Sequence, residues 1–305
     1  MKPIVLTSDW HIRDDTPLCR TDDYEIAQIK KLSYIDEYMQ SIDALMLLHA
    51  GDVCDKGRPV NSQMVESLIL GYAPTKIYGV PGNHDLPYHK LNNLKKSSLN
   101  VLIKAKQFIY LSSETPTPII QESNCILYGF PYGTEMVHLT EDELKRYTDA
   151  CTCIAITHQL VFEKSIPYGV KKGVLAIDLL KQFPEYKIIL TGDNHQSFVV
   201  EHEGRYLVNP GSLLRMDADQ VDHKPSLYVW DGETIKREFI PIEEGVVSRE
   251  HIEVKQERDG RIDAYVERMN ADYEVGLSFE KNIDTHLLKN KVRQNVEDKI
   301  REAIE

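Results

Sequence analysis

Residues 45–55 read LMLLHAGDVCD and carry the clearest fold signal in the chain. The apolar run Leu45 to Leu48 predicts a buried strand, because a strand covered on both faces needs no polar alternation. Asp52 and Asp55 follow this run in a short polar block. Parallel α/β sheets build their sites just past the carboxyl ends of such strands. The stretch therefore predicts an α/β sheet with carboxylates at its functional edge.

Four more blocks of metal-capable residues follow predicted strands in the same way. They are Asp9 and His11 after Ile4 to Thr7, Asn83 and His84 after Lys76 to Val80, His158 after Ile154 to Thr157, and Asp193 and His195 after Lys187 to Thr191. Strands that lie side by side would bring all the blocks into one cleft. Carboxylates, imidazoles and one amide, with no thiolate, suit manganese, iron or zinc. Seven such ligands are too many for one tetrahedral ion and suit two ions that share a carboxylate.

Helical patterns separate these strands. They cover Tyr24 to Met39, Gln63 to Leu70, a basic segment from His89 to Lys106, a helix opened by a capping box at Thr140 to Glu143, and Leu175 to Phe183. Short strands and turns from Ser197 to Ile242 predict an antiparallel run. The order of elements predicts one layered α/β domain over residues 1–242. Residues 243–305 are predicted to form a mostly helical tail, in which Leu288, Val292, Val296 and Ile300 make the stripe of an amphipathic helix.

The composition limits the class of protein. The chain has 305 residues, 42% hydrophobic and 28% charged, which is typical of a soluble globular protein. It has no apolar run of the roughly 18 to 20 residues that a membrane span needs and no signal-peptide pattern. Its five cysteines include no C-x-x-C pair, so we expect a cytoplasmic protein. The net charge of −12 argues against a protein that coats nucleic acid by charge alone. A phosphate-bearing substrate must therefore be attracted by bound ions or a local basic patch.

The motifs D-x-H, G-D-x-x-D, G-N-H-D, T-H and G-x-x-H, in that order, resemble those of the calcineurin-like metallophosphoesterases. The resemblance covers roughly residues 4–215 and includes the loop Asn209-Pro210-Gly211-Ser212. It implies a layered α/β sandwich of two mixed sheets flanked by helices, here with a C-terminal helical appendage. It also implies two divalent metal ions, which we expect to be Mn²⁺, with Mg²⁺ or Fe²⁺ as alternatives.

The resemblance further implies a role for each polar residue. Asp9, His11 and His195 would hold the first ion, Asn83, His158 and Asp193 the second, and Asp52 would bridge them. His84 would protonate or stabilise the leaving oxygen, oriented by Asp85. The family usually has histidine at the position of Asp193, and an oxygen ligand there favours manganese or magnesium over zinc.

Within the family, the stretch GDVCDKGRP at residues 51–59 followed by G-N-H-D looks most like the SbcD-like DNA repair exonucleases of bacteria and phages. These work with a coiled-coil ATPase, the SbcC-like subunit, on which a C-terminal helix docks. The resemblance implies DNA as substrate. The candidate DNA contacts are the basic residues near the cleft: Lys56, Arg58, His89, Lys90, Lys95, Lys96 and Arg215.

Other readings of the sequence stay open. The acidic balance favours an enzyme for a small nucleotide or a cyclic phosphodiester. A phosphoprotein phosphatase fits less well, because Lys56 stands where that branch has an arginine and Asp85 where it has a glutamate. A binding subunit without catalysis is the last alternative. The tail could dock on a partner, pack on its own domain, or form a homodimer.

Overall fold

The structure, a computed structural model, describes residues 1–56, 60–112, 114, 120, 123–147, 151–250, 279–290 and 292–302. The chain forms two compact units, Met1–Ser248 and Arg249–Glu305. The first unit extends beyond the predicted boundary after residue 242. Its last residues are fixed to an early loop, because Thr21 N donates to Val246 O at 3.1 Å and Ser248 N donates to Cys19 O at 2.7 Å.

The first unit contains two large mixed sheets. One sheet has six strands in the order β13-β12-β1-β2-β3-β4, and the other has five in the order β10-β11-β9-β6-β5. The six-stranded sheet consists of β1 (Ile4–Thr7), β2 (Met46–His49), β3 (Ile77–Gly79), β4 (Phe108–Tyr110), β12 (Ser226–Trp230) and β13 (Ile235–Phe239). The five-stranded sheet consists of β5 (Cys125–Phe130), β6 (Thr152–Thr157), β9 (Ile188–Thr191), β10 (Phe198–His202) and β11 (Arg205–Asn209). A separate pair joins β7 (Val161–Phe162) to β8 (Val174–Leu175).

The helices of the first unit are α1 (Tyr24–Ser41), α2 (Val60–Leu70), α3 (Ser98–Lys104), α4 (Glu141–Tyr147) and α5 (Ala176–Gln182). The predicted capping box is present at α4, where Glu143 N donates to Thr140 Oγ1 at 3.3 Å and Thr140 N donates to Glu143 Oε2 at 2.9 Å. The predicted helix from His89 to Lys106 is wrong in detail. It is divided into a 3₁₀ turn at Leu91–Lys96 and α3, because Ser97 adopts an extended conformation and caps α3.

The packing of β1 explains the layers. Ile4 and Leu6 lie between the two sheets, in a cluster that includes Ile154 of the other sheet. Val5 lies on the opposite face, in a cluster with Leu32 of α1. Because successive strand residues face opposite sides, a fully apolar strand needs a covering on both faces. A third cluster packs α5 against the outer face of the five-stranded sheet. The layers are thus helix, sheet, sheet and helix, which confirms the predicted fold class.

The second unit contains α6 (Phe279–Asn290) and α7 (Gln294–Glu302), which confirms a helical appendage. The predicted single stripe is wrong. The chain is not helical at residues 292 and 293, so the four stripe residues do not lie along one helix. Leu288 is 82% exposed, whereas its neighbour Leu287 is 7% exposed. Among the described residues, no helix combines the length and apolarity that a bilayer crossing needs.

Candidate metal centre

The predicted ligands lie in loops at the carboxyl ends of five strands. Three of these strands, β1, β2 and β3, are parallel neighbours in the six-stranded sheet. The other two, β6 and β9, are parallel neighbours in the five-stranded sheet. The edge of each sheet therefore supplies part of the site, and the cleft lies where the two edges meet.

The backbone is strained where the ligands project. Asp9, His11, Asp52 and Asp193 all have positive φ, between 48° and 73°, a region that non-glycine residues rarely adopt. Such strain concentrates at functional sites, where the surrounding structure holds it in place. Gly82 is required for the same close packing, because a Cβ at that position would overlap Asp52 Oδ1 and the Asp52 backbone nitrogen.

The first cluster of ligands contains Asp9, His11 and His195, whose ligand atoms all lie within 4.8 Å of one another. The Nε2 atoms of His11 and His195 lie 3.1 Å apart. Asp9 Oδ1 lies 4.0 Å from His11 Nε2. Two imidazole nitrogens that face each other with a carboxylate beside them are typical of ligands to one cation.

The second cluster surrounds the ring of His158. Its Nδ1 lies 2.6 Å from Ala50 O and donates to it, which leaves Nε2 as the metal-facing nitrogen. Nε2 lies 2.9 Å from Asn83 Oδ1, 3.3 Å from Asp52 Oδ2 and 3.9 Å from Asp193 Oδ1. The structure thus brings together the four residues predicted around the second ion.

Asp52 joins the two clusters. Its Oδ2 lies 3.7 Å from His11 Nε2 and 3.3 Å from His158 Nε2. Its Oδ1 accepts a hydrogen bond of 2.8 Å from the backbone nitrogen of His84. One carboxylate oxygen of Asp52 therefore faces both clusters, while the other is held by the main chain.

The buried charges show whether cations fit this site. Burial raises the pKa of Asp9 to about 6, and its Oδ2 has no hydrogen-bond partner among the described residues. Burial alone would lower the pKa of His158, but the carboxylates of Asp52, Asp9 and Asp193 outweigh it and raise that pKa to about 10. Without a cation, His158 would therefore hold a proton near neutral pH, and a bound cation would take the place of that proton. The donor set of oxygens and imidazoles fits divalent ions.

His195 and His11 differ in their charge environment. Burial and the neighbouring His11 lower the pKa of His195 to about 4, so its ring is neutral and can offer a lone pair. Burial opposes protonation of His11 as well, but Asp55, Asp52 and Asp9 raise its pKa to about 8. Asp55 Oδ1 lies 3.5 Å from His11 Nδ1 and Asp55 Oδ2 lies 3.5 Å from Arg13 Nη1. Asp55 is given no role in the sequence analysis. Its place as the second aspartate of the G-D-x-x-D motif is the feature that indicates a role.

The structure corrects the predicted role of Asp85. The Asp85 carboxylate does not orient the His84 ring, because it accepts hydrogen bonds from the backbone nitrogens of Val53, Cys54 and Gly82 at 3.2, 2.8 and 2.9 Å. It therefore ties the loop after β2 to the loop after β3. Burial and the nearby Asp52 charge raise the pKa of Asp85 to about 7. His84 is oriented instead by the backbone of Asp55, whose carbonyl oxygen lies 2.6 Å from His84 Nδ1.

The predicted DNA contacts lie in different environments. Lys90, Lys95 and Lys96 are exposed, and Lys56 is partly exposed beside Asp55. His89 Nδ1 lies 2.9 Å from Asn83 O, so this basic segment is attached to the loop after β3. Arg58 lies outside the described residues.

Arg215 was predicted to contact DNA, but its side chain is not placed for that role. It is 4% exposed and donates to the backbone oxygens of Val221 and Glu243 at 3.0 and 2.5 Å. Burial of a cation depends on the segments that fold over it, and no local sequence pattern indicates this.

A cavity of about 500 Å³ adjoins two of the predicted metal ligands. It is lined by Asp193 and His195 on one side and by Asp217, Asp219 and His223 on the other. This volume lies within the usual range for small-molecule sites. Sequence reasoning did not identify the cavity, because its far wall comes from the loop between β11 and β12.

One comparison with known proteins identifies the family of this chain. The profile of the calcineurin-like phosphoesterases matches residues 2–197, which is more than half of the chain. No curated protein matches the chain. The solved structures that match part of this chain include TT1561 of Thermus thermophilus, with 15% identity, a TM-score of 0.49, and coverage of 79% of this chain and 99% of that one. The calcineurin-like phosphoesterase YfkN from Bacillus subtilis has 16% identity and a TM-score of 0.46 over 81% of this chain and 92% of that one. A novel archaeal phosphodiesterase has 14% identity and a TM-score of 0.39 over 78% of this chain and 99% of that one.

Proposed function

Because this chain belongs to the calcineurin-like phosphoesterase family, we propose that it hydrolyses phosphodiester bonds of DNA as the nuclease subunit of a repair or recombination complex. The coarser activity, metal-dependent hydrolysis of a phosphate ester, follows from the family together with the candidate ligand clusters. The finer proposal concerns the substrate and the identity of the ions, for which we propose Mn²⁺.

The proposed ligands follow the two clusters and the residue that joins them. Asp9, His11 and His195 would hold one ion, and Asn83, His158 and Asp193 the other. Divalent ions in such a site polarise the phosphate and supply an activated water. Asp52 would bind both ions, since one of its oxygens faces both His11 and His158.

The position of His84 is the observation that carries the proposal for an ester with an alkoxide leaving group, which a DNA phosphodiester has. Its backbone nitrogen is bonded to Asp52 Oδ1 and its ring Nδ1 lies 2.6 Å from Asp55 O. A carbonyl can only accept, so Nδ1 carries the hydrogen and Nε2 is the atom left to exchange a proton. The leaving oxygen of a DNA phosphodiester is an alkoxide, which departs more readily when it is protonated. The partly exposed ring is suited to give that proton.

The basic segment after His84 supports a polyanionic substrate. Lys90, Lys95 and Lys96 are exposed within seven positions of one another, on the segment that His89 attaches to Asn83. Such lysines contact phosphates without reading sequence. They would offset locally the net charge of −12.

The test compares two substrates with one set of variants. Wild-type protein with Mn²⁺ should degrade end-labelled duplex DNA and hydrolyse bis-p-nitrophenyl phosphate. Replacement of Lys90, Lys95 and Lys96 by Gln should weaken DNA cleavage, with a shallower salt dependence, and leave the small substrate unaffected. The control replaces Lys2, Lys145 and Lys236, three exposed lysines in surface ion pairs, with the same change in charge. Hydrolysis of the small ester without any DNA cleavage would contradict the proposal.

A second function, hydrolysis of a small nucleotide or a cyclic phosphodiester, is favoured by the cavity beside His195. Its volume of about 500 Å³ suits one nucleotide, and Asp217 and Asp219 on its wall suit hydroxyl or amino groups better than a phosphate backbone. Under this alternative Asp217→Asn and Asp219→Asn would raise KM for a nucleotide substrate. Neither the wild type nor these variants would cleave DNA. The same substrate comparison therefore separates the two functions.

We also propose that the second unit docks on a coiled-coil ATPase. The exposed side chains of Leu288 and Val296, at 82% and 44%, offer apolar contacts on α6 and α7 for a helical partner. Leu288→Lys should abolish any stimulation of cleavage by such an ATPase while the basal hydrolysis of the small ester is unchanged. Stimulation that survives this variant would place the docking surface elsewhere.

A further inference from the structure

A second, small cavity lies in the first unit and is lined by none of the predicted metal ligands. Its volume is about 40 Å³, and four cationic side chains contribute to its wall: Arg20, Lys30, Lys31 and Arg215. A single water needs roughly 10–15 Å³ of such space, so the cavity holds about three water-sized groups. This is the size of one small oxyanion.

The cations around this cavity are buried to an unusual degree. Arg20, Lys31 and Arg215 are 9%, 8% and 4% exposed. Buried charges are costly unless an opposite charge lies close to them. The acidic residues on the cavity wall are Asp22 and Glu243, and Glu243 is more than half exposed. In the described part of the wall, four positive charges therefore face two negative ones.

The hydrogen bonds show which charges lack compensation. Arg20 pairs with Asp22 at 2.6 Å, and Lys30 pairs with Glu243 at 2.5 Å. Lys31 Nζ donates to the carbonyl oxygen of Pro241 at 3.0 Å, and among the described residues this is its one acceptor. An ammonium group has three donors, so two of them remain available to the cavity.

Arg215 likewise donates hydrogen bonds to carbonyl oxygens, those of Val221 and Glu243, and to no carboxylate in the part of the chain that the structure describes. Burial, together with the neighbouring charges of Arg215 and Arg20, lowers the pKa of Lys31 to about 8, and Glu243 and Asp22 only partly oppose this. The cavity is thus a place where an anion would relieve an unfavourable positive potential.

We infer that this cavity is a second binding site, separate from the metal centre, for a phosphate group. The excess of two positive charges matches the charge of about −1.5 to −2 that a phosphate group carries near neutral pH. Lys31 and Arg215 would bind it from the buried side, and Lys30 lies at the exposed side. The bound group is either free phosphate or the terminal phosphate of a nucleotide, since both present the same oxygens.

The hydrogen bonds of these cations to backbone oxygens also have a structural role, which is compatible with phosphate binding. Lys31 and Arg215 hold the segment around Pro241 and Glu243 against α1. A neutral donor could have made the same bonds to carbonyl oxygens without the cost of burying a charge. The charge itself is what a purely structural role leaves unexplained.

The test is a calorimetric titration of the full chain with inorganic phosphate, repeated with a nucleoside 5′-monophosphate. We expect a phosphate site that persists in Asp52→Ala, which disables the metal centre, and that loses affinity by about tenfold or more in Lys31→Met, because one charge-assisted hydrogen bond is removed. Lys30→Gln, at an exposed position, should weaken binding with no risk to the fold. Lys104→Met, an exposed lysine on α3, is the matched control and should bind as the wild type does.

Proton uptake gives an independent readout. An anion favours the charged form of Lys31, so phosphate binding at about pH 8 should take up protons in the wild type and fewer in Lys31→Met. Equal phosphate affinity in the wild type, Lys31→Met and Lys30→Gln would overturn the inference. Loss of all phosphate binding in Asp52→Ala would overturn it as well, because the metal centre would then be the whole site. Binding of the nucleotide as well as free phosphate would identify the terminal phosphate as an accepted ligand.

Discussion

The imidazole of His84 and the backbone carbonyl of Asp55 lie 2.6 Å apart, measured from Nδ1 to oxygen. This contact decides which ring nitrogen carries the fixed hydrogen and which faces the cleft. The ring is oriented by a main-chain oxygen of the loop after β2 and not by the Asp85 carboxylate. The role of His84 can therefore be tested without disturbing the acidic residues around it.

His84→Ala should reduce cleavage of DNA by about 10²- to 10⁴-fold, the usual contribution of a positioned general acid to the departure of an alkoxide. Metal content should stay close to that of the wild type, because His84 is not among the proposed ligands. Steady-state kinetics and metal analysis of the purified variant give both quantities. His138→Ala, at an exposed histidine that pairs with Glu185, is the control. Full activity in His84→Ala would remove this residue from the reaction.

Asp52→Ala should lose both ions, since one oxygen of this side chain faces both ligand clusters. Metal analysis after dialysis should find fewer than one ion per chain, whereas Asp43→Ala, at an exposed position, should keep the wild-type content. Two ions retained in Asp52→Ala would show that this carboxylate does not bridge.

Asp193→His should change the metal preference of the second site. The Asp193 carboxylate lies 3.9 Å from His158 Nε2 and its side chain is 30% exposed, which leaves room for an imidazole. Replacing an oxygen ligand with nitrogen should raise the affinity for Zn²⁺ relative to Mn²⁺. Competitive titration of the two metals measures the ratio. An unchanged ratio would mean that residue 193 does not contact an ion.

Asp85→Asn separates the corrected role of this residue from the predicted one. The variant should lower the free energy of unfolding by about 1–3 kcal/mol, because an amide group replaces an oxygen that accepts backbone hydrogen bonds. Urea unfolding measures this loss. The kcat of the folded variant should fall much less than that of His84→Ala. Equal losses of kcat in the two variants would restore Asp85 as the residue that orients His84.

The pH dependence of stability should carry a contribution from Lys31. Burial and the nearby arginines lower its pKa from 10.5 to about 8 in the folded chain. Between these two values the unfolded chain binds more protons than the folded chain, so the free energy of unfolding should rise with pH. Urea unfolding at about pH 7, 9 and 10 should show this rise in the wild type and less of it in Lys31→Met. Lys104→Met should behave as the wild type, and parallel curves for all three proteins would contradict the assignment.

The fold and the ligand set could be predicted because the signals are local. Each of the blocks that contain Asp9, Asp52 and Asn83 directly follows an apolar strand, and the edge of a parallel sheet collects such blocks. Strand partners could not be predicted in the same way. β1 pairs with β2 on one side and with β12 on the other, and the latter contact joins residues more than 200 positions apart. The sequence therefore did not indicate which of the two sheets carries each ligand, because that depends on how the strands pair.

The errors have similar physical causes. The stripe that includes Leu288 and Val292 was derived from spacing alone, and spacing does not reveal that the helix ends near Asn290, where the side-chain amide bonds back to His286 O. Arg215 has the sequence character of a surface cation, yet Val221 and Glu243 fold over it. Helix termination thus breaks the predicted stripe, and tertiary contacts bury the predicted surface cation.

Each proposed ion draws on both sheets. His11 comes from one and His195 from the other, and the same is true of Asn83 and His158. Ions bound in this way would act as cross-links between the halves of the sandwich. Neither half on its own supplies every ligand proposed for either ion, so full occupancy of both sites during refolding would require the two halves to dock.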